Sequence, residues 1–299
     1  MLLSVAALLL CAASPPRPPE VAITIDDLPE HLGYPTGDTP QQVSDRMLAA
    51  LKAAHIPAFG FVNAVKVHDQ PETAQVLRDW RAAGFVLGNH GWSHRHLSEM
   101  SLGEFEQELV KGEPVLKRLG AGTDWHWFRY PFLDEGKDAA QRAAARQILA
   151  RHGYRVAAVS MSFDDWKWTE PYARCASAHD DAAVAQLARL YLQSAGETLA
   201  RSRASAHMLV GRDIPYVVLM HVSALSARMM PQVIKLYRNA GVRFVSLQEA
   251  ERDPVYQAYT NLSLPAPPSP QELAARRGVK LPHGTDVDAE LAAMCVAAH

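Results

Sequence analysis

The sequence has almost no net charge and few cysteines. Thirty Lys and Arg residues are balanced by 32 Asp and Glu residues, so the formal charge is −2 over 299 residues. Because a protein that binds a phosphate backbone needs a basic excess, this balance argues against a nucleic-acid partner. The apolar stretch at residues 1–13 is too short to span a bilayer. We therefore expect no integral membrane domain.

The three cysteines, Cys11, Cys175 and Cys295, include no CxxC pair. A thiolate zinc site or a cysteine nucleophile is therefore poorly supported. In an oxidising compartment Cys175 and Cys295 could form a disulfide bond. The chain is 48% hydrophobic and long enough to bury a core without disulfide or metal cross-links. Any bound metal is therefore expected to be catalytic rather than structural.

The first 14 residues are typical of an export signal. An uncharged apolar run is followed by the small residues Ala12, Ala13 and Ser14, which offer a cleavage region. Four prolines between residues 15 and 19 then indicate a linker. We predict a signal peptide at 1–14, a linker at 15–20 and a periplasmic or secreted protein. The alternative is that the apolar run forms a buried first strand or helix.

Short apolar runs alternate with amphipathic stretches along the chain, which predicts a parallel sheet with crossover helices. This periodicity alone does not distinguish an open doubly wound sheet from a closed barrel. The predicted strands lie at residues 21–25, 58–62, 85–88, 127–129, 156–159, 217–220 and 244–245.

Capping residues mark several of the predicted helices. Thr39 with Gln42 predicts a helix that runs to about residue 55, and Ser101 with Glu104 predicts one that ends near Gly120. Further helices are predicted at 71–83, 137–152 and 226–240.

Two segments lie outside the regular alternation. Residues 180–207 are Ala-rich with a helical pattern, and they could form an inserted lid or a long crossover helix. After about residue 262 a Pro-rich stretch leads to a short extension. We predict one α/β domain at 21–258 with a helical insertion near 170–213, followed by a Pro-rich linker and C-terminal extension at 259–299.

Polar residues follow five of the predicted strands at their carboxyl ends, where active sites lie in parallel α/β folds. Each cluster alone is a modest signal, because a turn, a surface histidine pair or a core aromatic would explain it equally well. The clusters are Asp26-Asp27, the segment 89–94, the segment 129–132, the segment 164–166 and the segment 219–221.

The side chains in these clusters suit a metal site. The adjacent carboxylates Asp26 and Asp27 are costly to desolvate, and a cation would offset their repulsion. His90 and His94 are four residues apart, a spacing that puts both rings on one face of a helical turn. Two histidines and one carboxylate form a recurrent catalytic set that leaves positions open for water and substrate.

In order and spacing the five clusters resemble the motifs of the polysaccharide deacetylase family, carbohydrate esterase family 4. The sequence TIDD at 24–27 is similar to the family's TFDD, and His90 with His94 to its HxxxH. The remaining matches are RYPF at 129–132, Asp165-Trp166, and LMH at 219–221. The resemblance implies an α/β fold, a distorted (β/α) barrel that often has seven parallel strands.

The resemblance also implies a role for each matched residue. A divalent metal, usually zinc but also Co, Ni or Mn, would be held by Asp27, His90 and His94. Asp26 would be the general base and His221 the general acid. The remaining implied roles are Arg129 as the partner that orients Asp26, Asp165 as the partner that orients His221, the Phe132 N–H as an oxyanion donor, and Tyr130, Phe132, Trp166 and Leu219 as the substrate pocket.

Four departures from the family pattern leave the substrate open, and one of them is a stretch between Trp166 and His221 that is longer than in typical members. Leu28 stands where the family usually has Gly, Gly91 where Ser or Thr is common, and Ser162 where an earlier Asp is usual. The expected function is metal-dependent removal of an N-acetyl group from an amino sugar or polysaccharide. Alternatives are hydrolysis of another acyl amide or ester, such as a formyl sugar or an O-acetyl group, a non-catalytic glycan-binding barrel, and a metal-dependent sugar isomerase.

Overall fold

A computed structural model describes residues 18–296. The predicted export signal, Cys11 and the first part of the predicted linker lie outside that range. Within it, no helix combines the length and the apolar character needed to cross a membrane.

Within residues 18–296, seven strands form one curled sheet in which every strand pairing is parallel. The strands are β1 (Glu20–Leu28), β2 (Phe59–Val62), β3 (Val86–Asn89), β4 (Trp127–Phe128), β5 (Arg155–Val156), β6 (Tyr216–His221) and β7 (Arg243–Phe244). Their order is β5-β4-β3-β2-β1-β6, with β7 also paired to β1. A single bridge between Met161 and Val218 connects the segment after β5 to β6. The sheet therefore curls into a distorted barrel, as predicted.

The helices cover the sheet and begin where capping residues supply acceptors for free N–H groups. Thr39 and Ser101 both form complete capping boxes, with Gln42 and Glu104 respectively. The α-helices are α1 (Pro40–Ala53), α2 (Ala64–Asp69), α3 (Ala74–Ala82), α4 (Leu102–Leu119), α5 (Ala139–Arg151), α6 (Thr169–Ser177), α7 (Asp181–Val210), α8 (Ala224–Asn239), α9 (Leu247–Ala250), α10 (Gln257–Thr260), α11 (Pro270–Arg277) and α12 (Asp288–Ala293).

The predicted helical insertion is a long crossover and not a lid. Helices α6 and α7 connect β5 to β6, and α7 buries Leu187, Tyr191 and Leu199. The Tyr191 hydroxyl donates a hydrogen bond to Ser226 Oγ at 2.9 Å on α8. The crossover is therefore fixed to the barrel layer along its length.

Met294 and Cys295, near the end of the described range, are tied to the same crossover. A disulfide bond joins Cys175 on α6 to Cys295, with 5.2 Å between the two Cα atoms, a normal separation for a disulfide. The Arg174 guanidinium also donates a hydrogen bond to the carbonyl of Met294 at 3.1 Å. The division between a domain at 21–258 and an extension at 259–299 stays a prediction.

Candidate active site

The two carboxylates at the end of β1 reach the same cleft because the strand is irregular there. The pairing register of β1 with β2 shifts between Ile25 and Leu28, and Asp27 has a left-handed backbone with φ of 67°. Asp tolerates this conformation better than most residues, and a bulge changes the direction of a side chain. The irregularity that lets both carboxylates reach one cleft thus lies inside the strand.

The predicted helical turn at His90 and His94 is wrong: residues 90–96 form a loop. Gly91 (φ 75°) and His94 (φ 55°) both adopt left-handed backbones, which an α-helix does not allow. The loop is held by Glu108 of α4, whose carboxylate accepts the Ser93 N–H at 2.7 Å and the Ser93 hydroxyl at 2.8 Å. These contacts, rather than helix geometry, bring the two imidazoles together.

Asp27, His90 and His94 converge with their ligand atoms close to one another. Asp27 Oδ1 lies 3.3 Å from His94 Nε2 and 3.6 Å from His90 Nε2. His90 Nδ1 lies 2.8 Å from the carbonyl oxygen of Arg129. A carbonyl only accepts hydrogen bonds, so Nδ1 carries the proton and His90 Nε2 presents a lone pair to the carboxylate.

The donor set fits a divalent cation. Asp27 Oδ1 is buried and has no hydrogen-bond partner among the described residues, although a buried carboxylate oxygen normally needs one. Two ligands of a tetrahedral zinc ion are about 3.4 Å apart, which matches the observed separations. Asp27, His90 and His94 could therefore hold the ion.

The protonation states suit such an ion, because metal ligands must be deprotonated. Burial lowers the pKa of His90, and burial also lowers the pKa of His94 to about 4. Burial opposes ionisation of Asp27, but the hydrogen bond from His31 and the charges of Lys66 and His221 outweigh it and hold the pKa of Asp27 well below its ordinary range.

Asp26 lies beside this set and pairs with a buried arginine. Arg129 Nη1 donates to both Asp26 oxygens, at 3.3 and 3.2 Å, and each residue is about 1% exposed. The guanidinium also donates through Nε to Ala157 O and through Nη2 to Thr24 Oγ1. Because its donors are used on these three residues and on Ala158 O, Arg129 fixes the position of Asp26 and compensates its buried charge.

His221 lies on the strand next to Asp26, since the register of β1 with β6 pairs these two residues. Its Nδ1 is 2.7 Å from Asp165 Oδ1, while Asp165 Oδ2 accepts the His221 N–H at 2.9 Å and the Ser226 hydroxyl at 2.6 Å. Burial acts to lower the pKa of His221, but the charge and hydrogen bond of Asp165 outweigh it and raise the pKa to about 9. The raised pKa favours a protonated His221 imidazole beside the Asp165 carboxylate.

The four residues predicted to form the substrate pocket have different surroundings. Phe132 and Trp166 are about half exposed, and the Phe132 ring stacks at 3.8 Å on His96 and lies 4.3 Å from His94. Leu219 lies two residues before His221 on β6 and is nearly buried. Tyr130 is not brought to the site.

Tyr130 is 2% exposed and packs against Phe105 and Phe128. Successive side chains of an extended segment point in opposite directions. Because Arg129 points towards Asp26, the next side chain points into the layer between β4 and α4. The expectation that the Tyr130 side chain lines the pocket is therefore corrected.

Sequence reasoning missed two residues beside Asp27: His31, which contacts its carboxylate, and Lys66, which contacts the backbone at the end of β1 and in the loop that follows. His31 Nδ1 lies 2.7 Å from Asp27 Oδ2, and Lys66 Nζ donates to the carbonyls of Asp27 (3.3 Å) and Glu30 (2.6 Å). The spacing of four residues between Asp27 and His31 was the available signal, but it falls in a Pro-containing loop where no periodicity applies. Lys66 gave no signal, because it lies on a separate helix.

A family model described as polysaccharide deacetylase matches residues 13–157. This segment, 145 of the 299 residues, is thus similar to the polysaccharide deacetylase family. The match includes Asp26, Asp27, His90, His94 and Arg129 and ends before Asp165 and His221. The positions of these last two residues therefore rest on the geometry of the barrel.

Among curated proteins, the chain is similar to a peptidoglycan-N-acetylglucosamine deacetylase from Bacillus cereus. The two are 27% identical over 113 residues, which is 38% of this chain and 36% of that protein. The similarity thus covers about a third of the relative's length.

Solved structures show the same fold. A chitin deacetylase from the fungus Colletotrichum lindemuthianum has a TM-score of 0.56 and 19% identity, covering 78% of this chain and 88% of that one. A pseudoenzyme of carbohydrate esterase family 4 from Bacillus anthracis has a TM-score of 0.56 and 17% identity, covering 79% of this chain and 66% of that one. Since the fold is shared by enzymes and a pseudoenzyme, activity has to be argued from the residues.

Proposed function

We propose that the protein is a metal-dependent deacetylase that hydrolyses the N-acetyl group of an N-acetylated amino sugar or polysaccharide. The observation that carries the proposal is the buried, unpartnered Asp27 Oδ1 facing His90 Nε2 and His94 Nε2. Three potential ligand atoms converge there, an arrangement that a bound cation would compensate. Zn²⁺ suits one carboxylate and two imidazoles, and Co²⁺, Ni²⁺ or Mn²⁺ are the alternatives.

A divalent ion bound there would polarise the acyl carbonyl and lower the pKa of a water nucleophile. Asp26 is not one of the converging ligands, because its oxygens are occupied by Arg129. It lies 3.7 Å from His90 Nε2, next to the ligand set. In this position Asp26 accepts the proton of the attacking water, and Arg129 keeps the carboxylate aimed at it.

His221 supplies the proton that the reaction needs at its other end. The C–N bond breaks only if the departing nitrogen is protonated, since an amide anion is a poor leaving group. Asp165 keeps His221 protonated and fixes its ring through Nδ1. Nε2 is then the donor to the leaving amine, so that water and amide yield acetate and a free amine.

The exposed rings of Phe132 and Trp166 support a carbohydrate substrate, because the apolar faces of sugars pack against such surfaces. The Phe132 N–H is the proposed additional donor to the oxyanion. The Cys175–Cys295 disulfide supports the proposed export to the periplasm or the medium, since disulfides persist in oxidising compartments.

The test is acetate release from N-acetylglucosamine oligomers and from peptidoglycan. We expect turnover that disappears after chelation and returns with added Zn²⁺. Release of formate from N-formyl sugars, or of acetate from O-acetyl esters only, would identify one of the alternative hydrolases. Acetate release at the native rate by metal-free protein would contradict the mechanism, and tight glycan binding without any hydrolysis would favour the binding barrel.

A further inference from the structure

His31 contacts one carboxylate oxygen of the candidate metal ligand Asp27. It is not the oxygen that lies near His90 and His94. The Nδ1 atom of His31 lies 2.7 Å from Asp27 Oδ2, whereas Oδ1 is the oxygen near His90 and His94. The His31 ring is also 4.8 Å from the ring of His221. The motifs of the family assign no role to this position.

His31 could in principle be a ligand or a hydrogen-bond donor, and the distances separate these roles. Asp27, His31 and His221 have ligand atoms close enough for an ion. However, 2.7 Å is the length of a direct charge-assisted hydrogen bond, and two ligands of one zinc ion are about 3.4 Å apart. His31 Nδ1 therefore donates its proton to Asp27 rather than sharing an ion with it.

The loop that carries His31 is fixed at several points, so the contact is built into the fold. Lys66 Nζ donates to the Glu30 carbonyl at 2.6 Å and to the Asp27 carbonyl at 3.3 Å. The Asn63 N–H donates to the carbonyl of Leu28 at 2.9 Å. These bonds fold the chain back after β1 and hold the imidazole over the carboxylate.

We propose that His31 is a positioning residue for the metal ligand Asp27. By occupying Oδ2, the imidazole fixes the rotation of the carboxylate and leaves Oδ1 as the oxygen directed at the ion. The inference rests on the metal site of the proposed function, and it concerns metal affinity rather than turnover. Residues that orient a metal ligand typically contribute about 10- to 100-fold in affinity.

The test is a Zn²⁺ titration of the full-length protein against a chromophoric chelator, with His31→Leu, His31→Asn and a control. We expect His31→Leu to weaken zinc binding about 10- to 100-fold. His31→Asn should stay within about threefold of wild type, because the Asn amide N–H₂ occupies the place of Nδ1. The control is His68→Leu, which removes an imidazole–carboxylate contact of 2.9 Å with Asp69 on the exposed surface and should leave affinity unchanged.

Wild-type affinity in His31→Leu would overturn the inference, and so would an equal loss in His31→Asn, which would mean that the imidazole itself binds the ion. Imidazole ¹⁵N NMR of the zinc-loaded wild type is a check that needs no substitution: His31 should keep a protonated Nδ1 and show no ligation shift. Zinc affinity that depends on His31 in a protein that releases no acetate would refute the proposed function alone. A wild type that binds none of the four candidate metals would refute both.

Discussion

Replacing Asp165 by Asn should move the alkaline limb of the pH–rate profile to lower pH. The pKa of His221 is raised from its ordinary value of 6.5 to about 9, and Asp165 is the main cause that raises it. This difference corresponds to roughly 3 kcal/mol in favour of the protonated imidazole. In Asp165→Asn the charge disappears while burial remains, so the pKa should fall to its ordinary value or below.

Because the general acid must be protonated, activity is present below the pKa of His221 and is lost as pH rises through it. At pH 8 the protonated fraction should fall from about 0.9 to about 0.03, which lowers kcat/KM about thirtyfold. A bound dication would lower the pKa in both proteins, so the difference between the two limbs is the quantity to compare. The assay is kcat/KM for acetate release from pH 5 to 10.

The matched control is Asp164→Asn, the same chemical change one residue away. The Asp164 side chain is about half exposed and its left-handed backbone (φ 54°) suits Asn. It should leave the alkaline limb unchanged. Loss of activity at the same pH in Asp165→Asn and in wild type would contradict the prediction. His221 would then not be the proton donor, or Asp165 would not set its charge.

Three further predictions concern the roles of Asp26 and His94, the buried Glu251 and the disulfide bond. Asp26→Asn should lower kcat/KM about 10²- to 10⁴-fold with zinc affinity nearly unchanged, whereas His94→Ala should lose zinc. Zinc titration of both proteins checks this. Loss of zinc in Asp26→Asn would contradict the assigned roles. Burial raises the pKa of Glu251 to about 8. The wild-type free energy of unfolding should therefore fall as the pH rises from about 4.5 to 8, by up to roughly 4–5 kcal/mol relative to Glu251→Gln. Urea unfolding at pH 5 and pH 8 checks this, and an equal change with pH in the two proteins would refute it. Cys175→Ser should lower the free energy of unfolding by up to about 4–5 kcal/mol, because the bond closes a loop with a sequence separation of 120 residues; an unchanged urea midpoint would contradict this.

The sequence best predicted the features that depend on residues close together in the chain. The capping boxes at Thr39 and Ser101 depend on residues three apart, and both helices begin where they predict. The apolar runs located the strands to within a few residues. The start of α8 was placed two residues late, because its N-cap Ser223 follows β6 with only Val222 between them.

The parts that could not be predicted depend on contacts between distant residues. Glu108 shapes the loop that carries His90 and His94. The separation of four residues between the two histidines had suggested a helical turn. His31 contacts Asp27 from a loop that the distant residues Lys66 and Asn63 hold in place. Tyr130 is different, since the alternation of side chains beside Arg129 already indicated that it points away from the cleft.

The most direct test of the central claim is anomalous X-ray diffraction from crystals soaked with zinc, measured on both sides of the zinc absorption edge. We predict one strong anomalous peak at about 2.0–2.2 Å from Asp27 Oδ1, His90 Nε2 and His94 Nε2. A peak bonded instead to His31 and His221, or no peak beside Asp27 at saturating zinc, would contradict the account.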